Sequence, residues 1–153
     1  MTIDNEQKSL KPTSSAAQPR QPQDIFVTII DKERLEGIIQ TVDRSVTVDL
    51  LEEELERATV VSSKQIPPDV VTMNSLVRFK DLDTGEESEA ILSYPGTVEI
   101  KVKRISVLAP VGAALLGLRI GDEIEWPVPS GKRRLLKIIA IPSQPEADLK
   151  YDL

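Results

Sequence analysis

The side chains with most chemical potential in this chain are carboxylates, and they crowd together. Asp43, Asp49, Glu52, Glu53 and Glu54 all fall within twelve residues. On a helix, residues three apart share a face, so Asp49 and Glu52 could approach one divalent cation. The same pair near a helix start also complements the macrodipole with no ligand at all. Glu52-Glu53-Glu54 reads equally as a solvated helix face. Asp43 has Val46, not a second acid, three residues further on. The chain has no His and no Cys. That excludes Ser-His-Asp triads, imidazole ligands, phosphohistidine, thiolate nucleophiles and Cys-based zinc sites. Any reaction would have to run on carboxylates, Lys, Tyr or Ser. We therefore expect no catalytic residue, no metal site and no cofactor.

Charge placement says more than its total. Of the net −6, residues 31–60 carry nine acidic against four basic groups, net −5, whereas 1–30 balance and 61–153 come to −1. A nucleic-acid binder shows the opposite, a basic face that neutralises phosphates. No direct nucleic-acid binding is expected; a basic protein surface suits this segment better. No run approaches the roughly 20 apolar residues of a membrane helix, and residues 1–23 lack a signal-sequence pattern. No membrane association is expected, and the reading is of a cytoplasmic monomer.

The elements that must position the acids follow from periodicity. Residues 1–23, rich in Ser, Gln, Pro and Lys, read as a disordered tail. After the apolar run Ile25–Ile30, Asp31 is a suitable N-cap. Leu35, Ile38, Ile39 and Val42 then share one helix face. Asp43-Arg44-Ser45 reads as a turn. A second helix is predicted from Thr47 to Val60, with Val48, Leu51, Leu55 and Ala58 at coiled-coil spacing. Together they make a short antiparallel helical hairpin over residues 24–65, about 20 Å long.

Ser62–Pro68 breaks the helix, and residues 66–153 turn β-like. Strands are predicted at Leu76–Lys80, Ala90–Tyr94, Val98–Lys103, Ile105–Leu108, Glu123–Trp126 and Leu135–Ile141, with turns at Asp83-Thr84-Gly85, Pro95-Gly96, Gly121-Asp122 and Pro129-Ser130-Gly131. Pro110 suits the first position of a short helix that stops near Gly117. The fold class is α+β: a helical hairpin plus an antiparallel sheet domain with one short helix across it.

Several of these runs resemble a known family. Ile105–Gly117, followed by Gly121-Asp122-Glu123, is similar to the C-terminal domain of the Gre transcript-cleavage factors (GreA/GreB). Asp81–Glu87 looks like that domain's first hairpin, and Pro129-Ser130-Gly131 like its last. Ile66–Ser75, Glu123–Trp126 and Gln144-Pro145-Glu146 resemble a shorter subfamily, the Rnk regulators of nucleoside diphosphate kinase. The long tail at 1–23 is not a feature of that subfamily.

The resemblance implies an FK506-binding-protein-like sheet domain. It implies RNA polymerase as partner, with docking on the rim of the secondary channel. In that reading Ser106, Leu108, Pro110, Val111 and Gly112 carry the docking. In Gre factors acids at the tip of a long hairpin help hold the cleaving metal ion. Here the hairpin is far shorter and lacks the paired tip acids. The acidic finger (Asp43, Asp49, Glu52, Glu53) is then a charge suited to a basic channel. The protein would compete with Gre factors without stimulating cleavage. Two other readings exist. A prolyl isomerase would need an aromatic-walled pocket, yet Phe26, Phe79, Tyr94, Trp126 and Tyr151 are scattered along the chain. A direct protein regulator of nucleoside diphosphate kinase remains open, although the kinase itself is excluded by the absence of His.

Overall fold

The computed structural model describes residues 25–96, 103–127 and 133–150. The expected tail at 1–23, the turn at 129–131 and, apart from Lys103, the strand expected at 98–103 lie outside the described residues.

The chain starts with a short strand, β1 (Phe26–Thr28), which leads directly into helix α1 (Ile29–Ile39). Thr28 is the N-cap, its Oγ1 accepting from the Asp31 N–H at 3.0 Å. Asp31 is therefore not the cap. It sits in the first turn with its carboxyl turned inward, 4% exposed. The helix stops at Ile39, short of Val42, as the Thr41 hydroxyl donates to the Ile38 carbonyl. Ser45 caps helix α2 (Val46–Arg57) by accepting from the Val48 N–H at 3.1 Å. Asp49 in its first turn and Arg57 in its last both suit the helix dipole.

The helix predicted to Val60 ends three residues early. Ala58 is extended, and Thr59–Val61 forms β2, parallel to β1 with Val27 opposite Val60. Thr59-Val60-Val61 is β-branched throughout, and the β1 edge offers it partners; the Thr59 N–H donates to the Ile25 carbonyl at 2.9 Å. The two strands clasp the helical pair at its base.

The remaining strands are β3 (Leu76–Asp81), β4 (Glu87–Ser93), β5 (Arg104–Ser106), β6 (Glu123–Pro127) and β7 (Arg133–Ser143). They form one sheet in the order β5-β4-β3-β7-β6. It is mostly antiparallel, as expected, but β5 runs parallel to β4, with Leu92 opposite Ile105. The ten residues between β4 and β5 give the chain room to return to the same end of the sheet.

Helix α3 (Pro110–Leu115) has Pro110 in its first turn and buries Gly112, Ala113, Ala114 and Leu115. Gly117 ends it at φ +82°. A methyl group there would lie 2.9 Å from the Ile25 Cβ, so α3 and the start of β1 meet at a glycine.

One buried cluster runs through all of this. Leu35 and Ile39 of α1, Val48, Leu51 and Leu55 of α2, and Leu115 of α3 share it with Val77, Phe79, Leu92, Ile124, Leu136 and Ile138 of the sheet. The expected seam is correct at Val48, Leu51 and Leu55, with Ala58 half-buried. The expected solvent face is wrong at Glu54, which is 6% exposed. Glu54 follows Leu51 by three residues, so it falls on the inward stripe.

Because the core is shared, trimming the helical pair should weaken the sheet as well. Leu55→Ala, at a site 1% exposed, should cost about 2–5 kcal/mol. Thermal unfolding followed by far-ultraviolet dichroism should show the whole transition shifted down. Loss of helical signal alone, with the sheet melting at the parent temperature, would show that the core is not shared.

Candidate functional site

The acids singled out from sequence lie on and around α2, but they do not converge. Asp43 is exposed in the turn between the helices, and Val46, 69% exposed, occupies the neighbouring tip position. Asp49 and Glu52 do share a face. What they hold is Arg44, whose Nη2 lies 2.5 Å from Asp49 Oδ1 and 2.8 Å from Glu52 Oε1. Hydrogen bonds to Glu52 and Asp49 push the Arg44 pKa up, so its charge is fixed there. The pair that could have gripped a cation is occupied by the chain's own guanidinium, and all three groups are about half exposed. Among the described residues no group of acids is arranged to hold a metal ion. Glu53 is exposed.

Glu54 belongs to a different environment. Its Oε2 accepts from Arg57 at 2.6 Å, while its Oε1 is buried with no partner among the described residues. Burial raises its pKa, Arg57 opposes that, and the neighbouring Glu53 adds to it. Between the helices Glu36, Gln40, Glu52 and Glu56 surround a cleft of about 270 Å³ floored by Leu55. Sequence reading missed Glu36, Gln40 and Glu56 because they come from both helices; only the paired helix geometry assembles them.

The segment 106–112 is a tight strand-to-helix corner. Ser106 ends β5; its Oγ accepts from the Leu108 N–H at 3.1 Å and its carbonyl from the Ala109 N–H at 3.0 Å. Val107 is fully buried, and its N–H donates to the Ser93 carbonyl at 2.9 Å. Leu108, Ala109, Pro110 and Val111 are half-buried, and Leu108 and Val111 pack on the core. Gly112 is buried, and a methyl there would lie 1.9 Å from the Ser106 carbonyl oxygen. Ser106 and Gly112 thus shape the corner.

Sequence reading also missed a buried polar junction beneath the helical pair. Asp31 Oδ2 accepts from the Met73 N–H at 3.1 Å, and Oδ1 from the Tyr94 hydroxyl at 2.9 Å. The spacing Thr28-x-x-Asp31 is a capping signature, and it could have marked Thr28 as the cap and freed Asp31 for another role.

Comparison with known proteins adds the following. Residues 65–143 match the sequence model of the family described as "Transcription elongation factor, GreA/GreB, C-term", and residues 23–61 match one described as "Rnk N-terminus". A regulator of nucleoside diphosphate kinase from Escherichia coli strain K12 is 41% identical over 129 residues, covering 83% of this chain and 95% of the relative. The transcription elongation factor GreA of Clostridium botulinum strain Langeland is 37% identical over 81 residues, and the match spans about half of each chain, 53% and 51%. Among solved structures, a prokaryotic GreA/GreB elongation factor from Nitrosomonas europaea is 46% identical with a TM-score of 0.65, covering 80% of this chain and all of that one.

The corner makes its own prediction. Gly112→Ala must push the Ser106 carbonyl aside and should cost about 1–3 kcal/mol or more. Val111→Ala, half-buried at the rim, should cost less. Chemical denaturation of the two variants decides it, and equal losses would mean that the close approach at Gly112 is not what holds the corner.

Proposed function

The chain belongs to the GreA/GreB family of transcription elongation factors and carries an Rnk-type N-terminus, and on that premise we propose that it regulates transcription by docking on RNA polymerase. The observation that carries this reading is the match of the GreA/GreB C-terminal domain over 65–143, which contains the whole 106–112 corner. We read residues 66–153 as the docking domain, FKBP-like in fold, and 24–65 as a coiled-coil stub. The docking place is the rim of the polymerase secondary channel, with Leu108, Pro110 and Val111 facing the partner and Ser106 and Gly112 holding them in place.

The stub supports the second half of the proposal. Its helices have 11 and 12 residues, so at 1.5 Å per residue each spans roughly 16–18 Å. Its tip presents Asp43 beside Val46 rather than a pair of acids, and Asp49 and Glu52 are tied to Arg44. Such a stub competes with Gre-type factors for the polymerase without stimulating transcript cleavage. Its exposed acids act on encounter and specificity, so their effect falls as salt screens them. Glu54 is not part of that surface, because it is buried. The relatives are a regulator and elongation factors, and this chain is a regulator rather than an enzyme, acting in the cytoplasm as a monomer without touching nucleic acid directly. A second reading follows from the Escherichia coli relative's name: direct action on a nucleoside diphosphate kinase, visible as a change in kinase activity when the purified proteins are mixed.

A pull-down with core RNA polymerase tests the main reading. The parent protein should be retained, and an excess of a Gre factor should displace it. Pro110→Glu, at a half-buried rim position, should fold and lose most of the binding. Parent protein that is not retained, or retention that a Gre factor leaves untouched, would sink the proposal; normal binding by a folded Pro110→Glu would remove the corner as its docking surface.

A further inference from the structure

Two adjacent residues, Thr72 and Met73, each hold a buried carboxyl, and the two carboxyls come from opposite ends of the described chain. The Met73 N–H donates to Asp31, which is 4% exposed in the first turn of α1. The Thr72 hydroxyl lies 2.6 Å from Glu146 Oε1, and Glu146, just beyond β7, is 9% exposed. Thr72 is itself pinned: its N–H donates to Ser75 Oγ at 3.0 Å, and the two hydroxyls are 2.8 Å apart. Two residues before Glu146, the Gln144 amide donates to the carbonyls of Pro67 and Val70, both at 2.8 Å. Tyr94, directly after β4, completes the ring by donating to Asp31. The base of the helical pair, the lead-in to β3, the end of β4 and the segment after β7 all meet here.

We propose that Asp31 and Glu146 form a proton-sensitive joint that fastens the helical pair to the sheet.

The electrostatics have one sign. Burial raises the pKa of Asp31, against the pull of the Met73 N–H, the Tyr94 hydroxyl and Arg34. Burial also raises that of Glu146, against the Thr72 hydroxyl, and the negative charge of Asp31 adds to the rise. Among the described residues, the charged and titratable groups facing the joint are Arg34 on α1, Tyr94 after β4, and the two acids. Arg34 lies over the Tyr94 ring, 5.9 Å from its centre. Burial and Asp31 push the Tyr94 pKa up, so it stays a donor. Both carboxyls bind protons more strongly in the folded chain than in the unfolded one. Their contribution to stability is full below the unfolded carboxylate pKa and is lost as pH rises through the raised values. Asp81 runs the other way. Burial would raise its pKa, but the Asp83 and Thr84 N–H groups and Arg134 outweigh that and lower it. Its contribution is therefore lost only well into acid, as pH falls through its lowered pKa. The joint shows itself as pH rises out of the ordinary carboxylate range.

This inference rests on the fold and not on the polymerase reading, so its test needs no partner. Thermal unfolding of the full chain is compared for the parent, Asp31→Asn, Glu146→Gln and the double variant at pH 7.5 and 4.5. Glu54 titrates with the same sign and is common to all four, so differences from the parent isolate the joint. Between pH 4.5 and 7.5 each single variant should lose less melting temperature than the parent, and that difference is the swing the test reads. The swing from Glu146→Gln should shrink when Asp31 is already Asn, because the repulsion between them is gone. Tyr94→Phe, which removes a donor to the Asp31 anion, should steepen the parent's pH dependence and keeps the question decidable if an acid variant fails to fold. Parallel pH profiles for the parent and both single variants, additive swings in the double variant, or an unchanged slope in Tyr94→Phe would each overturn the joint.

Discussion

The architecture depends on one constraint: the two N-terminal helices are too short to stand by themselves. Helices of 11 and 12 residues are marginal in water even with good sequences, and their stability has to come from burying one face. Leu35, Ile39, Val48, Leu51 and Leu55 supply that face; the helices pack on each other, on the β1–β2 pair and on α3, and α3 in turn packs on the sheet, all within one buried cluster. Small residues make the contact possible. Gly112, Ala113 and Ala114 keep α3 slim and buried, and Gly117 lets β1 pass at close range. The parallel clasp of β1 and β2 closes the helical pair at its base. The buried carboxyl of Asp31 is tolerated there because two donors from the sheet side meet it.

Function follows from where this leaves the charge. The stub's net negative charge is displayed on a short element held by a shared core, not on a long arm that swings freely. Its most suggestive acid pair is spent on Arg44. An exposed ion network of this kind adds little stability, but it removes a candidate cation site, and Lys32 likewise pairs with Glu36, which leaves Asp43, Glu53 and Glu56 among the exposed acids that set the surface potential. On the reading proposed above, the corner docks and the stub is presented beside it. Among the described residues no carboxylates are assembled as metal-assisted hydrolysis needs.

Much of this was legible in the residues. Three-and-four spacing located the buried stripe of both helices, Pro110 marked the start of α3, and alternation with turn signals found β3, β4, β6 and β7. The misreadings share a physical origin: each depended on a partner distant in sequence. Thr59-Val60-Val61 looks like the end of a helix until β1 is beside it. Asp31 looks like a cap until Met73 and Tyr94 are seen to need an acceptor. Glu54 looks solvated in a run of three acids, yet its position relative to Leu51 and Leu55 carries it inward. The direction of β5 is set by the return of the chain from β4, which local pattern does not record. At the corner, sequence resemblance pointed to Ser106–Gly112 as a unit, and within it Ser106 and Gly112 build the turn through the close approach of the Ser106 carbonyl to Gly112.

The central claim is that the helical pair is part of one cooperative unit with the sheet. Native-state amide hydrogen exchange on the full chain tests it most directly. The amides of Leu51 and Leu55 in α2 and of Val77 and Phe79 in β3 are compared for the free energy of the opening that exposes them. The account predicts the same opening energy for both sets, equal to that of global unfolding and falling together with denaturant. Exchange from α2 through a much cheaper opening, with β3 still protected, would show a helical pair that detaches by itself and would contradict the account.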